Sequence, residues 1–123
     1  MIENVKIIVV EDDSLIRTLT VDALTYCVNR EVKSFDSGKT AWQFLSSGGA
    51  VDIIVSDMDM PGMSGMELLS KVKSTFPDII FVAMSSVPEH EAALLQKGAH
   101  AFLAKPFDIN DLFNIVQRFV VGD

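Results

Sequence analysis

Cysteine is almost absent from this chain. The single Cys27 among 123 residues cannot close an internal disulfide, so packing alone must hold the fold, and a reducing cytoplasm is the expected setting. Long apolar runs are missing as well: none approaches the roughly 20 residues of a membrane helix. Met1-Ile2-Glu3-Asn4 lacks the basic start and apolar stretch of a signal peptide, so no membrane association is expected. Bases are scarce. Ten stand against 17 acids, for a net charge of −7, which argues against direct nucleic-acid binding and suits ligands or partners that bring cations. Linkers, internal repeats and low-complexity segments are also lacking, and residues 1–123 read as one domain. A hydrophobic content of 49% with 22% charged residues is that of an ordinary globular protein.

The most informative stretch is Val51-Asp52-Ile53-Ile54-Val55-Ser56-Asp57-Met58-Asp59-Met60-Pro61-Gly62. Ile53-Ile54-Val55 is a short β-branched run, the pattern of a strand buried on both faces of a parallel sheet. It ends on Asp57, and Pro61-Gly62 marks a turn soon after. A buried strand that carries an acid to its C-terminal tip sets it on the edge where open α/β sheets bind ligands. An isolated Asp there more often only caps the following loop.

The other segments alternate around this strand. Val5–Val10 reads as a first strand running into Glu11-Asp12-Asp13, and Ser14 opens a helix with the apolar stripe Ile16, Leu19, Ala23, Leu24 and Cys27. Asn29-Arg30 turns the chain into a second strand around Val32–Phe35. Asp36-Ser37-Gly38 leads into a helix carrying Ala41, Trp42, Phe44 and Leu45, which Ser47-Gly48-Gly49 breaks. Beyond the central strand, Ser64 and Glu67 have capping-box spacing for a helix that Phe76-Pro77-Asp78 stops. Ile79–Met84 is a fourth strand ending on Ser85-Ser86. Pro88 and Glu89 suit the first turn of a helix and Gly98 its end. Ala101–Ala104 is a fifth strand ending at Lys105-Pro106-Phe107, and Asp108 or Asn110 caps a last helix with the stripe Leu112, Ile115, Val116, Phe119 and Val120. Five strands alternating with five helices predict an α/β fold, a parallel sheet covered by helices on both faces.

In such a sheet the strand ends would converge: Glu11 and Asp12 from the first, Asp57 from the third, Ser85 from the fourth, Lys105 from the fifth. Two carboxylates about 4 Å apart repel by roughly 4 kcal/mol at an effective dielectric near 20. Three acids around one lysine therefore call for a cation, and a hard divalent ion with oxygen ligands, Mg2+ before Ca2+, is the candidate. No His or Cys falls at these positions, which argues against zinc. The same set suits phosphoryl transfer. Metal and Lys105 would neutralise the phosphoryl oxygens, Ser85 would donate a hydrogen bond, and Asp57 would be the nucleophile.

Glu11-Asp12, the run Asp57-Met58-Asp59-Met60-Pro61-Gly62-Met63-Ser64-Gly65, Ser85 and Lys105-Pro106-Phe107 together resemble the receiver domain of two-component response regulators, over essentially the whole chain. The resemblance implies a flavodoxin-like, doubly wound five-stranded sheet of order 2-1-3-4-5. It implies that Asp57 accepts a phosphoryl group from a sensor histidine kinase or a histidine phosphotransfer protein. It further implies Mg2+ held by Asp12, Asp57 and the backbone carbonyl of Asp59, with Glu11 acting through water, and Ser85 and Lys105 contacting the phosphoryl group. Ser85 and Phe102 would occupy the switch positions, and the Lys105-Pro106 bond would be cis. A downstream protein or effector domain would be engaged through the fourth helix, fifth strand and fifth helix.

Three acids, Glu11-Asp12-Asp13, stand where the family needs two; Arg17, at the place of a basic residue in the first helix, selects Glu11 and Asp12. Ser85 replaces the commoner Thr, and Phe102 lacks the hydroxyl of a Tyr. Other readings compete. Asp57-Met58-Asp59 also matches the Asp-x-Asp of haloacid-dehalogenase-type phosphatases, but here it lies on the third strand and nothing remains for a cap domain. A phosphorylation-independent binding module on the same fold would be expected to lose acids or the lysine. The chain therefore reads as a switch that is not a turnover enzyme. Met58, Met60, Met63 and Met66 could be imagined as copper ligands, but read as gap-fillers or contact residues. Trp42 and Cys27 read as packing residues, and His90 and His100 as solvated.

Overall fold

The computed structural model describes residues 5–28, 32–59 and 65–120, without the side chains of Cys27 and Val28. The Asn29-Arg30 turn, the Pro61-Gly62 turn, the Ser64 cap, Met60, Met63 and the core placement of Cys27 lie outside what it describes. Strands β1 (Ile7–Val10), β2 (Val32–Phe35), β3 (Ile53–Asp57), β4 (Ile80–Ser85) and β5 (Ala101–Ala104) alternate with helices α1 (Ser14–Val28), α2 (Gly38–Ser46), α3 (Gly65–Thr75), α4 (Glu91–Gln96) and α5 (Ile109–Val120). A single 3-10 turn, Pro88–His90, precedes α4. The strands form one parallel sheet in the order β2-β1-β3-β4-β5. This is the doubly wound, flavodoxin-like arrangement expected from the alternation and the resemblance.

The period of two along each strand divides the core. Ile8, Val10, Ile54, Phe81 and Ala83 meet Ala41, Leu45, Leu68, Leu69, Val72 and Leu94 from α2, α3 and α4. Ile7, Val9, Ile53, Val55, Val82 and Met84 point the other way, onto Leu24 of α1 and Leu112, Ile115 and Val116 of α5. Both faces are covered, which explains why β1 and β3 are buried at every position.

Local signals set the helix ends. Ser37 accepts the Thr40 N–H at the start of α2. Asp108, not Asn110, caps α5: its Oδ1 accepts the Asp111 N–H at 2.9 Å while Asp111 returns the bond at 3.2 Å. Gly98 adopts a positive φ of 111° after α4, a conformation that costs other residues energy.

Helix α1 opens at Ser14, as expected, and Asp13 caps it, its Oδ1 accepting the Ile16 N–H at 3.0 Å. The stripe on α1 needs correction, because it is rotated: Leu19 is 60% exposed, while Thr20 is buried one turn from Leu24. Thr20 can be buried because its hydroxyl bonds the Ile16 carbonyl at 2.7 Å, leaving no polar atom unpaired. Trp42 does pack against the α2–α3 side of the core, close to Phe76 and under the Lys71 ammonium.

His90 and His100 are both exposed, as expected, but His100 also has structural partners. Its Nδ1 accepts the Phe81 backbone N–H at 3.0 Å, and its ring stands edge-on to Phe119. Burial, and then the nearby Lys73 charge, lower its pKa from 6.5. The unfolded chain thus binds the proton more readily than the folded one, so stability falls as pH drops below 6.5. His100→Asn keeps an acceptor near the Nδ1 position and cannot titrate. We expect it to flatten the decline of Tm between about pH 6.5 and pH 5; an unchanged decline would locate the acid sensitivity elsewhere.

Candidate functional site

The strand register assembles one rim. Val10 lies beside Ser56, Asp57 beside Met84, and Ser85 beside Ala104. The ladder continues one step further: Glu11 N–H to the Phe35 carbonyl at 3.0 Å, Met58 N–H to Met84 at 2.9 Å, and Lys105 N–H to Ser85 at 2.9 Å. Glu11, Asp57, Ser85 and Lys105 therefore leave the sheet side by side. Glu11 and Asp57 are 1% and 2% exposed, and Ser85 is fully buried. Asp12 and Asp59 sit on the exposed side of the same rim.

Lys105 bridges the two buried acids. Its Nζ is 3.0 Å from Glu11 Oε1 and 3.3 Å from Asp57 Oδ1. Burial pushes the Glu11 pKa up from 4.5 to about 7, and the Asp57 charge adds to the rise. The Lys105 hydrogen bond and the Asp13 N–H act against it. Burial alone would lower the Lys105 pKa, but the Glu11 hydrogen bond and the Asp57 charge outweigh it and raise the pKa above 10.5. Lys105 thus stays a cation. Carboxylate oxygens of Glu11, Asp12 and Asp57 lie within 4.8 Å of one another. Such an all-oxygen, acidic donor set fits a hard divalent cation, which would replace part of the hydration lost on burial.

Ser85 Oγ accepts the Val87 N–H at 3.0 Å and donates to Asp59 Oδ2 at 3.3 Å. The Asp59 N–H in turn donates to Asp57 Oδ1 at 3.3 Å. The Lys105-Pro106 peptide bond is cis, as the resemblance implies. Phe102 is half-buried on β5, against the core cluster of α2, α3 and α4. Every site residue named from the sequence thus falls on this rim or, for Phe102, on the strand beneath it.

Three supporting roles were not legible. Arg17 Nη1 donates to the Glu11 carbonyl at 2.9 Å, fixing the turn that presents the acids. Asp13, the apparently surplus acid, caps α1 and gives its N–H to Glu11 Oε2. Gly65 opens α3 so close to the site that an added Cβ would lie 2.5 Å from Met58 Cα and 2.7 Å from the Asp57 carbonyl. Its place in the Asp-to-Gly motif was the only sequence signal. Beside the rim runs a groove of about 770 Å3, lined by Ile16, Leu19, Ala23, Pro106, Phe107 and Ile109, with Lys105 at its border.

Comparison with known proteins agrees with this geometry. Residues 7–117 match the model of the response regulator receiver domain family. The DNA-binding transcriptional regulator NtrC of Azospirillum brasilense is 32% identical over 114 residues, which cover 91% of this chain and 23% of that protein. The chain spans about a quarter of the length of the curated relatives it matches. A response regulator receiver domain protein of Clostridium thermocellum superposes with a TM-score of 0.84 at 25% identity, covering 93% of this chain and 92% of its own. The chemotaxis response regulator CheY4 of Vibrio cholerae gives 0.82 at 27% identity, covering 93% and 97%. Among the described residues, no helix is long and apolar enough to cross a membrane.

Two outcomes follow from the packing and charge of the rim. Because the folded pKa of Glu11 lies above its unfolded value, the folded chain binds the proton more tightly. Stability then falls as pH rises from 4.5 through about 7. In metal-free buffer, urea titrations of Glu11→Gln should lack this decline, and a slope equal to that of the wild type would contradict the assignment. Gly65→Ala should lose about 1–3 kcal/mol of stability through overpacking, read from the urea midpoint. An unchanged midpoint would mean that the β3–α3 connection can give way freely.

Proposed function

The chain belongs to the response regulator receiver domain family, and on that premise we propose that it accepts a phosphoryl group on Asp57 and thereby switches its affinity for a partner. The observation that carries this reading is a buried carboxylate, Asp57, with a lysine cation 3.3 Å away and two further acids within reach of it. The donor would be a sensor histidine kinase or a histidine phosphotransfer protein. An Asp57 carboxylate oxygen forms the new O–P bond as the N–P bond of a phosphohistidine breaks, and the electron pair stays with the imidazole nitrogen. Lys105, held protonated, stabilises charge on the phosphoryl oxygens. Ser85 donates a hydrogen bond to one of them, and the buried floor of the rim limits water.

Asp12, Asp57 and the Asp59 backbone carbonyl would hold Mg2+, with Glu11 acting through water. The ion, when bound, supplies positive charge that lets acid and phosphoryl group approach. The chain's own residues orient the acceptor. The groove bordered by Lys105 offers apolar surface on which a donor protein can rest beside Asp57. The output is a population shift of the segment from Ser85 to Phe102 and of the face formed by α4, β5 and α5, read by a downstream protein or effector domain. In this reading the protein acts in the cytoplasm as a switch rather than as a turnover catalyst.

The test is intact mass after incubation with acetyl phosphate and Mg2+. Wild type should gain one phosphoryl group, whereas Asp57→Ala, or wild type with EDTA, should gain none. Sustained release of phosphate without an adduct would instead indicate a phosphatase. Neither adduct nor release would leave a phosphorylation-independent binding module.

A further inference from the structure

The hydroxyl of Ser85 has one proton, and in this structure it is already committed. Ser85 is fully buried, its oxygen accepts the Val87 N–H at 3.0 Å, and its proton points to Asp59 Oδ2 at 3.3 Å. Asp59 is tied to the acceptor as well, since its backbone N–H donates to Asp57 Oδ1 at 3.3 Å. Asp59 thus touches both groups that the phosphoryl reaction brings together, Ser85 through its carboxylate and Asp57 through its backbone N–H. The bond to Asp59 and a bond from Ser85 to a phosphoryl oxygen on Asp57 exclude each other, because a hydroxyl donates once.

We propose that the Asp59 carboxylate is a positioning residue that holds the Ser85 hydroxyl away from the phosphoryl site and so sets how readily the switch closes. This rests on the reading of Asp57 as phosphoryl acceptor. Two effects give it its sign. Closing the switch takes the Ser85 proton from a charged acceptor, and it also brings phosphoryl oxygens toward the Asp59 charge. Both favour the open arrangement. The effect is limited, because 3.3 Å is long for an O–H···O bond and exposed Asp59 regains water when released. Removing Asp59 should therefore change a binding constant by about three- to tenfold, the range of one modest hydrogen bond.

The test is a double-mutant cycle on beryllofluoride binding in Mg2+, with Asp59→Ala, Ser85→Ala and the double variant. Asp59→Ala should bind beryllofluoride about three- to tenfold more tightly than wild type, and this gain should shrink in the Ser85→Ala background, where only the charge effect is left. An equal gain in both backgrounds would reduce Asp59 to a general charge effect and overturn the proposal. Asp59→Asn, which keeps an oxygen acceptor, should fall between wild type and Asp59→Ala. A second readout needs neither metal nor phosphoryl group. The Val87 amide proton resonance should move in Asp59→Ala, because the oxygen it bonds is freed to rotate; a resonance that stays in place counts against the bond. Failure of the underlying reading looks different: wild type itself would bind no beryllofluoride, and both inferences would fall together.

Discussion

Two carboxylates taken out of water beside each other are an unstable arrangement. Each loses hydration worth several kcal/mol, and their mutual repulsion adds more. The Lys105 ammonium, within 3.3 Å of both Glu11 and Asp57, makes the rim tolerable. Its compensation is partial, since Glu11 still holds its proton up to about pH 7. An acidic rim left only partly neutralised in this way fits a hard divalent cation. Much of the remaining architecture serves to keep this pair in place. The β4–β5 register carries Lys105 to the rim, the Arg17 bond fixes the Glu11 turn, and Gly65 lets α3 approach behind Asp57.

The strands were legible because a sheet buried on both faces leaves runs of β-branched residues with little polar interruption, as in Ile53-Ile54-Val55 and Ile7–Val10. Each run ended on a residue with chemistry, and a parallel sheet delivers all its C-terminal ends to one edge. The site therefore followed from the fold class almost without further information. Strand order did not; it came with the family resemblance. What stayed hidden was set by tertiary context. The α1 stripe failed because Thr20 satisfies its own hydroxyl and can take a core position that an apolar count assigns to Leu19. The hydrogen bond of the exposed His100 stayed hidden because its partner, the Phe81 N–H, lies 19 positions away on the neighbouring strand. Asp13 looked surplus because capping and backbone support leave no spacing signature distinct from a run of acids.

The two sides of the rim differ in how much they can vary. Glu11, Asp57 and Ser85 are sealed into the ends of packed strands, and any change there leaves an unpaired charge or a cavity. Asp12 and Asp59 face outward, where water can replace a lost partner. Substitution is thus costly on the buried side of the rim and cheaper on the exposed one.

The Lys105–Glu11 bond closes a span of 94 positions, from just after the first strand to just after the last. On a ribosome the acids emerge early and their counter-ion late. Until β5 has joined the sheet, the chain carries a rim of negative charge with no cation of its own. The side chain that neutralises the two buried acids is therefore delivered only once β4 and β5 have paired.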